Sequence, residues 1–321
     1  MKQPKRIKRV KKEDDYEYED DLEFNEGPDG EELRGGGNFT VAIVGDKEDL
    51  KVQALTWAFT RSLVKILHVD DKEMSLEDLV KDQTAHVVFF CNPITQDENG
   101  VYHATELEDA VLRVLAQMEA GICVKTTMPI ELVDRLCSRN TRIVYHPDVI
   151  PEFEGNLEEA MDPRIFVLGG HPQSTMALQE IYFRFSNYRT SQMSHVTPVE
   201  AAFVEAGIAG VCAAKATVFN QLYDVLQEYG GDYHLVSTYV GSDPRIGSWG
   251  ARIPNPDLSR GFKQSRMVEA VKQLANFSER FTIFKEVDRM NDTYRNRGNE
   301  SDEHNGQAEE EQQAGTDVST S

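Results

Sequence analysis

The sequence predicts an α/β fold in which a doubly wound parallel sheet is followed by an all-helical domain. Short apolar runs alternate with helical patterns up to Gly170, and beyond it the β pattern stops while helical spacing continues. Alternation of this kind is typical of a parallel sheet covered by helices on both faces. We therefore expect four segments: a charged leader at 1–37, an α/β domain at 38–170, a helical domain at 171–297 and a charged tail at 298–321.

Six apolar runs are predicted to be the strands of the first domain. The run from Phe39 to Val44 is nearly continuous and rich in β-branched residues, as expected of a parallel strand buried on both faces. The other strands are predicted at 65–69, 86–91, 121–125, 142–145 and 164–168, with helices at 48–62, 76–80, 106–120 and 131–138. This order of elements is Rossmann-like.

The second domain is predicted to be entirely helical. Helical character covers residues 174–186, 198–229, 232–240 and 263–292. The 198–229 stretch is rich in alanine and apolar on most sides, so we expect it to be buried between domains or against a second subunit. We predict a homodimer formed through this helix, and no apolar run long enough to span a membrane.

The termini carry segregated charge. Residues 1–12 hold seven Lys/Arg and no acid, residues 13–32 hold twelve Asp/Glu and no base, and residues 298–321 hold seven acids and no base. Such blocks are typical of disordered arms whose partner the sequence does not identify. The basic residues 2–12 are either a nucleic-acid arm or a solvated end that pairs with the acids after it. The net charge of −21 repels a nucleic-acid backbone, which argues against nucleic-acid binding as the main function.

The four cysteines give no metal-binding or disulfide pattern. They lie in apolar or helical segments without a CxxC spacing, and no secretory signal peptide precedes them. We expect reduced, buried thiols in a cytoplasmic protein and no bound metal.

The turn after the first strand is where a dinucleotide phosphate would bind. It begins with Gly45, but Lys47 and Leu50 occupy the second and third glycine positions of the G-x-G-x-x-G pattern. The acids Asp46, Glu48 and Asp49 would repel an anion and would also favour the start of a helix. The turn is therefore interpreted mainly as a helix start.

An acidic residue follows the second predicted strand. Asp70, or its neighbour Asp71, stands where a ribose-binding carboxylate would lie in a dinucleotide site. An Asp at the end of a strand that initiates a turn is the equally acceptable alternative.

Several further segments resemble one known family in the correct order. They are 90–95 (FCNPIT), 124–130 (VKTTMPI), 146–152 (HPDVIPE) leading to 162–169 (DPRIFVLG), 241–247 (GSDPRIG) and 287–292 (VDRMND). Together they resemble motifs of the UDP-glucose/GDP-mannose dehydrogenases and cover residues 38–297. The resemblance implies a Rossmann-like domain, a helical dimerisation domain, and NAD-dependent oxidation of a nucleotide sugar at C6.

The resemblance also implies roles for individual residues. Gly45, Asp70, Pro93 and Thr127 match positions that contact NAD, and Thr127 matches a threonine that organises water. Glu152 and Asp148 match two catalytic acids, although Asp148 is one methylene shorter than the glutamate of the family. In the 241–247 segment, Arg245 matches an arginine that reaches the substrate of the partner subunit. Alternatively, Arg245 pairs with Asp243 in a structural turn.

The departures from the family pattern fall on the catalytic groups. Glu205 stands in place of the lysine and Ala209 in place of the asparagine that stabilise oxyanions. The loop that should carry the nucleophilic cysteine retains at best Gly261-Phe262, and no cysteine follows Cys212. Family members also continue past the Met-Asn-Asp segment into a UDP-binding domain, which we expect this chain to lack.

These observations lead to three hypotheses. The first is a non-catalytic, dimeric scaffold or binding module derived from the nucleotide-sugar dehydrogenases. The second is a residual NAD-dependent oxidoreductase that performs one two-electron step on a CH–OH group. The third is a nucleic-acid-associated protein that uses residues 2–12.

Overall fold

The structure is a computed structural model of the 321-residue chain. It describes residues 39–60, 64–70, 72–97, 102–147, 149, 163, 165–188, 193–263 and 265–296. The predicted disordered arms, including the basic residues 2–12, lie outside the described residues.

The chain alternates strands and helices up to β9 and is helical after it. The strands are Thr40–Val44 (β1), Lys65–Val69 (β2), Val87–Phe90 (β3), Thr95–Gln96 (β4), Tyr102–His103 (β5), Gly121–Val124 (β6), Ile143–Tyr145 (β7), Val167–Gly170 (β8) and Ser194–Val196 (β9). The helices are Leu50–Phe59 (α1), Leu76–Asp82 (α2), Thr105–Gln117 (α3), Ile130–Cys137 (α4), Pro172–Phe185 (α5), Pro198–Glu228 (α6), Tyr233–Ser242 (α7), Ser265–Phe277 (α8) and 282–296 (α9).

Seven strands form one sheet in the order β2-β1-β3-β6-β7-β8-β9. The described pairs are parallel except for β7 with β8, so the sheet is mixed rather than purely parallel. Successive residues of a strand face opposite sides, and the core is accordingly split into two layers. One layer packs against α2, α3, α4 and the start of α6, while the other packs against α1 and α5. The predicted doubly wound α/β fold is confirmed.

Two predictions about the limits of the sheet are wrong. The β pattern does not stop at Gly170, because β9 pairs with β8 in parallel after α5. This edge strand is short and mostly exposed, so it lacks the apolar pattern that identifies a buried strand. The α/β layer therefore runs to Val196, and the domain boundary predicted at Gly170 falls inside it.

Other elements differ from the prediction in detail. The hairpin of β4 and β5 was not predicted, because two-residue strands give no recognisable period. The single helical stretch predicted at 263–292 is two helices, α8 and α9, separated at Ser278–Phe281.

Helix α6 is the longest helix in the described chain and links the sheet to the helical part. Thr197 and Glu200 form a reciprocal capping box at its start, and Pro198 occupies the first turn. A Cβ added at Gly169 would lie 2.6 Å from the Cβ of Ala201, so the helix packs directly on β8. Further along, a Cβ at Gly210 would lie 2.5 Å from a methyl group of Leu274 in α8. Small residues therefore let α6 approach both of its neighbours.

Our expectation that no apolar run is long enough to span a membrane is wrong for α6 by length and composition alone. Alanine, glycine and valine make up much of this 31-residue helix, and charged residues are few. In its most apolar window, 44% is buried inside the protein, and the core helix of a folded domain meets the same criterion.

Candidate functional site

The carboxyl ends of the central strands meet at one edge of the sheet. In a parallel sheet, ligands bind outside this edge, where the strand order reverses. Here the reversal lies between β1 and β3, because β2 follows β1 on one side and β3 lies on the other. Gly45 follows β1, Pro93 follows β3 and Thr127 follows β6, so the fold brings these three predicted residues to the same edge.

The turn after β1 contains the first expected glycine. Gly45 has φ of +153°, and a Cβ there would lie 3.0 Å from Val52 and 3.2 Å from Cys91. The position therefore requires glycine both for its backbone conformation and for its close contacts.

The N–H groups next to this glycine are partly satisfied by the turn itself. The Asp46 carboxylate accepts a hydrogen bond from the Glu48 N–H at 3.0 Å, and Asp49 accepts one from the Lys51 N–H at 2.8 Å. Asp49 is the N-cap of α1, and it also lies 3.3 Å from the buried Lys51 ammonium. The start of α1 thus presents carboxylates where a dinucleotide phosphate needs donors.

Asp70 is engaged in a local turn at the end of β2. Its Oδ1 accepts hydrogen bonds from the N–H groups of Lys72 at 2.9 Å and Glu73 at 2.7 Å. These bonds, the Glu73 bond first, lower the pKa of the Asp70 carboxyl below its usual value. Glu73 in turn pairs with Lys47 of the first turn. The geometry matches the alternative in which Asp70 initiates a turn.

Pro93 is exposed and leads into the β4–β5 hairpin. This hairpin carries Tyr102, whose hydroxyl is buried and has no hydrogen-bond partner among the described residues. Burial raises the pKa of Tyr102 above its usual value, and the negative charges of Glu269 and Glu205 act in the same direction. Tyr102 was not predicted as a site residue.

Glu205 of α6 forms the centre of a buried polar cluster with the ends of β6 and β7. The Thr127 hydroxyl donates a hydrogen bond of 2.6 Å to Oε1 of Glu205, and the Tyr145 hydroxyl donates to Oε2. Glu205 is 9% exposed. The structure therefore joins two predicted residues, Thr127 and Glu205, and adds Tyr145, which sequence reasoning missed.

The next residue after β7, His146, is buried on the other face of the sheet, against Phe166 and Tyr182. Its Nδ1 lies 3.0 Å from the Tyr182 hydroxyl. Burial and then the charge of Lys125 lower its pKa well below the usual histidine value. His146 is therefore a neutral core imidazole. The predicted acids Asp148 and Glu152 lie outside the described residues.

Ala209, one turn after Glu205, packs among apolar side chains of the helical core. A methyl group at this position offers no hydrogen-bond donor. The helix thus presents a carboxylate and a methyl group where the family resemblance implies an ammonium and an amide.

The loop before α8 is fixed by buried asparagines. Asn291 of α9 accepts from the Phe262 N–H at 2.8 Å and donates to the Phe262 carbonyl at 3.0 Å. Asn220 of α6 accepts from Arg260 Nε at 2.8 Å. Gly261 has φ of +69° and fits against Asn291, where a Cβ would lie 2.6 Å from the amide oxygen. Gly261 and Phe262 therefore have a structural explanation that needs no catalytic cysteine.

Arg245 lies on the surface after α7. Its guanidinium donates to both carboxylate oxygens of Asp243, at 2.9 and 2.7 Å, and its side chain is 86% exposed. This pair matches the structural alternative, while the exposed guanidinium also leaves the partner-subunit role open as a prediction.

The four cysteines form no disulfide bond. Cys91, Cys123 and Cys137 are buried and Cys212 is half-buried, and burial raises the pKa of Cys137 to about 12. Within the described residues, no group of three His, Cys, Asp or Glu side chains is placed to hold a metal ion.

Tyr145 and Tyr102 are the residues that sequence reasoning missed. The sequence does contain a signal for Tyr145, because this residue ends a predicted strand at the carboxyl edge of the sheet. It was missed because a tyrosine in an apolar strand is normally interpreted as a core residue. Tyr102 lies in an unpredicted hairpin and gave no such signal.

Comparisons with known proteins agree with this architecture. No protein-family model matches the chain, and no curated protein matches it. Solved structures do match. A UDP-glucose dehydrogenase from the hyperthermophilic archaeon Pyrobaculum islandicum superposes with a TM-score of 0.63 at 17% identity, covering 81% of this chain and 69% of that one.

Two other solved structures give similar values. A UDP-D-ManNAc dehydrogenase from Pyrococcus horikoshii has a TM-score of 0.62 at 14% identity, covering 79% of this chain and 68% of that one. An NDP-N-acetyl-D-galactosaminuronic acid dehydrogenase from Methanosarcina mazei has a TM-score of 0.59 at 12% identity, covering 81% and 67%. At these identities the likeness concerns the fold, and this chain has the fold of the nucleotide-sugar dehydrogenases.

Proposed function

We propose that this chain is a non-catalytic, dimeric binding module or scaffold built on the nucleotide-sugar dehydrogenase fold. The observation that carries the proposal is the Thr127–Glu205–Tyr145 cluster. A carboxylate that accepts two hydroxyl donors in a buried position is a stable structural element. At the same place, stabilisation of an oxyanion requires a donor or a positive charge.

The neighbouring groups support the same conclusion. Ala209 offers no donor, Phe262 is held by Asn291 and Gly261 by Asn220, and no cysteine follows Cys212 in the sequence. Loss of one oxyanion donor typically costs ~10²–10³ in rate, and loss of the thiolate removes the covalent route. These departures support the proposal that the chain does not carry out the oxidation that the family resemblance implies.

The turn after β1 is an argument against tight binding of NAD. Asp46 and Asp49 accept N–H groups that a pyrophosphate would need, and they add negative charge beside it. A dinucleotide would have to displace both carboxylates. We assign no reaction step to this cofactor.

Turnover measurements test the proposal directly. Purified protein is incubated with UDP-glucose and NAD⁺, and NADH is followed by its absorbance. We expect no NADH above a protein-free control, and steady formation of NADH would overturn the proposal. An active UDP-glucose dehydrogenase in the same buffer is the positive control.

A residual oxidoreductase is the second candidate, because the Thr127 hydroxyl is paired with a buried carboxylate that can accept a proton. A single two-electron step needs no thiolate. This candidate requires binding of NAD(H), so a flat calorimetric titration with millimolar NAD⁺ would reject it. Nucleic-acid binding through residues 2–12 depends on residues that the structure does not describe.

Dimerisation is proposed through the exposed face of α6. The face consists of Val211, Val218, Leu222 and Val225, whose exposed fractions are 64, 52, 40 and 54%. These positions recur at helical spacing, and a continuous apolar stripe of this kind favours burial against a partner. Sedimentation velocity should give twice the monomer mass, and a monomer at micromolar concentration would contradict the dimer. We also propose a cytoplasmic location, because the four cysteines form no disulfide bond.

A further inference from the structure

Lys125 is a buried ammonium group without a partner among the described residues. The residue is 7% exposed and lies directly after β6. Four acidic or basic side chains are buried in the described chain, and three of them have partners: Lys51 with Asp49, His146 with Tyr182, and Glu205 with Thr127 and Tyr145. Lys125 differs from these three, because its side chain makes no ion pair or hydrogen bond with any described residue.

The backbone fixes Lys125 in this position. Its N–H donates a hydrogen bond of 2.8 Å to the carbonyl of Phe90, the last residue of β3. Because strand residues alternate between faces, the side chain starts on the same face of the sheet as Cys123, towards α1 and α5. A buried charge without a counter-charge is costly, so proteins normally pair such groups or leave them in water.

The surroundings of the Lys125 ammonium suit a bound anionic ligand better than an ion pair within the protein. Lys125 ends the strand next to β3, beside the point of reversal where ligands bind in sheets of this order. The neighbouring imidazole of His146 is neutral and already bonded to Tyr182, so it neither repels an anion nor pairs with the ammonium. An ammonium supplies three donors and no acceptor.

We propose that Lys125 binds an oxyanion, a phosphate or carboxylate group of a small ligand, at the carboxyl edge of the sheet. This proposal is independent of the proposed function, because anion binding at Lys125 requires neither dimerisation nor the loss of catalysis. Lys51 provides an internal comparison: it is equally buried on the neighbouring helix α1, but its ammonium lies 3.3 Å from Asp49. An anion should therefore act on Lys125 and leave Lys51 unaffected.

The test compares wild type with Lys125→Met, and Lys51→Met serves as the matched control. Thermal unfolding is measured in chloride buffer at constant ionic strength, with inorganic phosphate, pyrophosphate or acetate added. For wild type and Lys51→Met we expect Tm to rise with oxyanion concentration and to saturate. Lys125→Met should lose at least tenfold in apparent affinity, and should unfold at a higher Tm than wild type without oxyanion because it buries no unpaired charge.

The anions distinguish the two ligand classes. Saturation with phosphate or pyrophosphate alone identifies a phosphate site, and saturation with acetate alone identifies a carboxylate site. An equal response of wild type and Lys125→Met to every anion would overturn the proposal, since general salt effects act on both. If Lys125→Met does not fold, NMR line broadening of phosphate (³¹P) and of acetate (¹H) by wild type decides, and the absence of broadening for both anions overturns the proposal. None of these outcomes bears on turnover or dimerisation.

Discussion

The two halves of α6 belong to one continuous helix but have different surroundings. The first half, from Pro198 to Gly210, lies against the sheet and α8 and carries Glu205 into the polar cluster. The second half, 211–228, packs on α8 and α9 with one face and exposes valine and leucine on the other. The difference teaches that helical periodicity locates the buried face of a helix but does not tell which neighbour covers it.

The largest expected effect comes from removing the buried carboxylate of the first half. Glu205→Leu removes the carboxylate that accepts from the Thr127 and Tyr145 hydroxyls, and a hydrogen bond to a buried charged group contributes about 1.5–3 kcal/mol. We expect the free energy of unfolding in urea to fall by about 3 kcal/mol.

Glu200 provides the matched control for this change. It lies on the same helix and closes the capping box from an exposed position. Glu200→Ala should lower the free energy of unfolding by much less than Glu205→Leu, because water replaces the exposed capping contacts. Equal losses for the two variants would show that the Glu205 cluster is not a buried network.

A change in the second half should act on association rather than on folding. Val218→Asp places a charge in the exposed stripe of α6, where it touches no described core cluster. We expect the sedimentation coefficient to shift to the monomer, while the monomer's unfolding free energy changes by less than about 0.5 kcal/mol. Unchanged association would place the interface elsewhere, and Val211→Asp then serves as a second probe of the same face.

Two glycines in the first half sharpen the comparison further. Gly207 has no atom within 4 Å of an added Cβ, whereas at Gly210 that Cβ would overlap Leu274 and lie 2.9 Å from Phe284. Gly207→Ala should stabilise the protein by about 0.5–1 kcal/mol through helix propensity. Gly210→Ala should destabilise it by about 1–2 kcal/mol, because Leu274 and Phe284 must move. Chemical denaturation of both variants measures the difference, and the same sign for both would contradict the close helix contact.

The smallest expected effect is a pH dependence of the unfolding free energy, caused by His146 at the end of β7. Because the folded state lowers the pKa of His146, the unfolded chain binds its proton more readily. Stability is therefore complete above the usual histidine pKa of about 6.5 and decreases as pH falls below it. Unfolding free energies at pH 7.5 and 5.5 should differ less in His146→Gln than in wild type. The exposed His171→Gln should retain the wild-type difference.

Much of the fold was predictable from sequence because buried strands and capped helices have strong local signals. Strand β2 was predicted at its observed bounds, and Pro198 marks the start of α6. The strand β9 and the β4–β5 hairpin were missed, since they are short and are stabilised by pairing rather than by their own pattern.

The candidate site was only partly predictable. Spacing identified Gly45, Thr127 and Glu205, but it did not place the last two in contact, because a hydrogen bond across 78 residues depends on tertiary packing. The role of Asp70 in a turn and the missing partner of Lys125 are likewise properties of geometry. Neither follows from residue type.

The connection between β9 and α6 has a mechanical consequence. Val196 ends the strand, Thr197 caps the helix and Pro198 begins it, so nothing between them absorbs a change in length. One residue inserted after Val196 would turn the helix by about 100° and advance it by about 1.5 Å. The Glu205 carboxylate would then rotate away from Thr127. The edge strand thus fixes the rotation of α6 about its own axis, and the Thr127–Glu205–Tyr145 cluster forms only at that rotation.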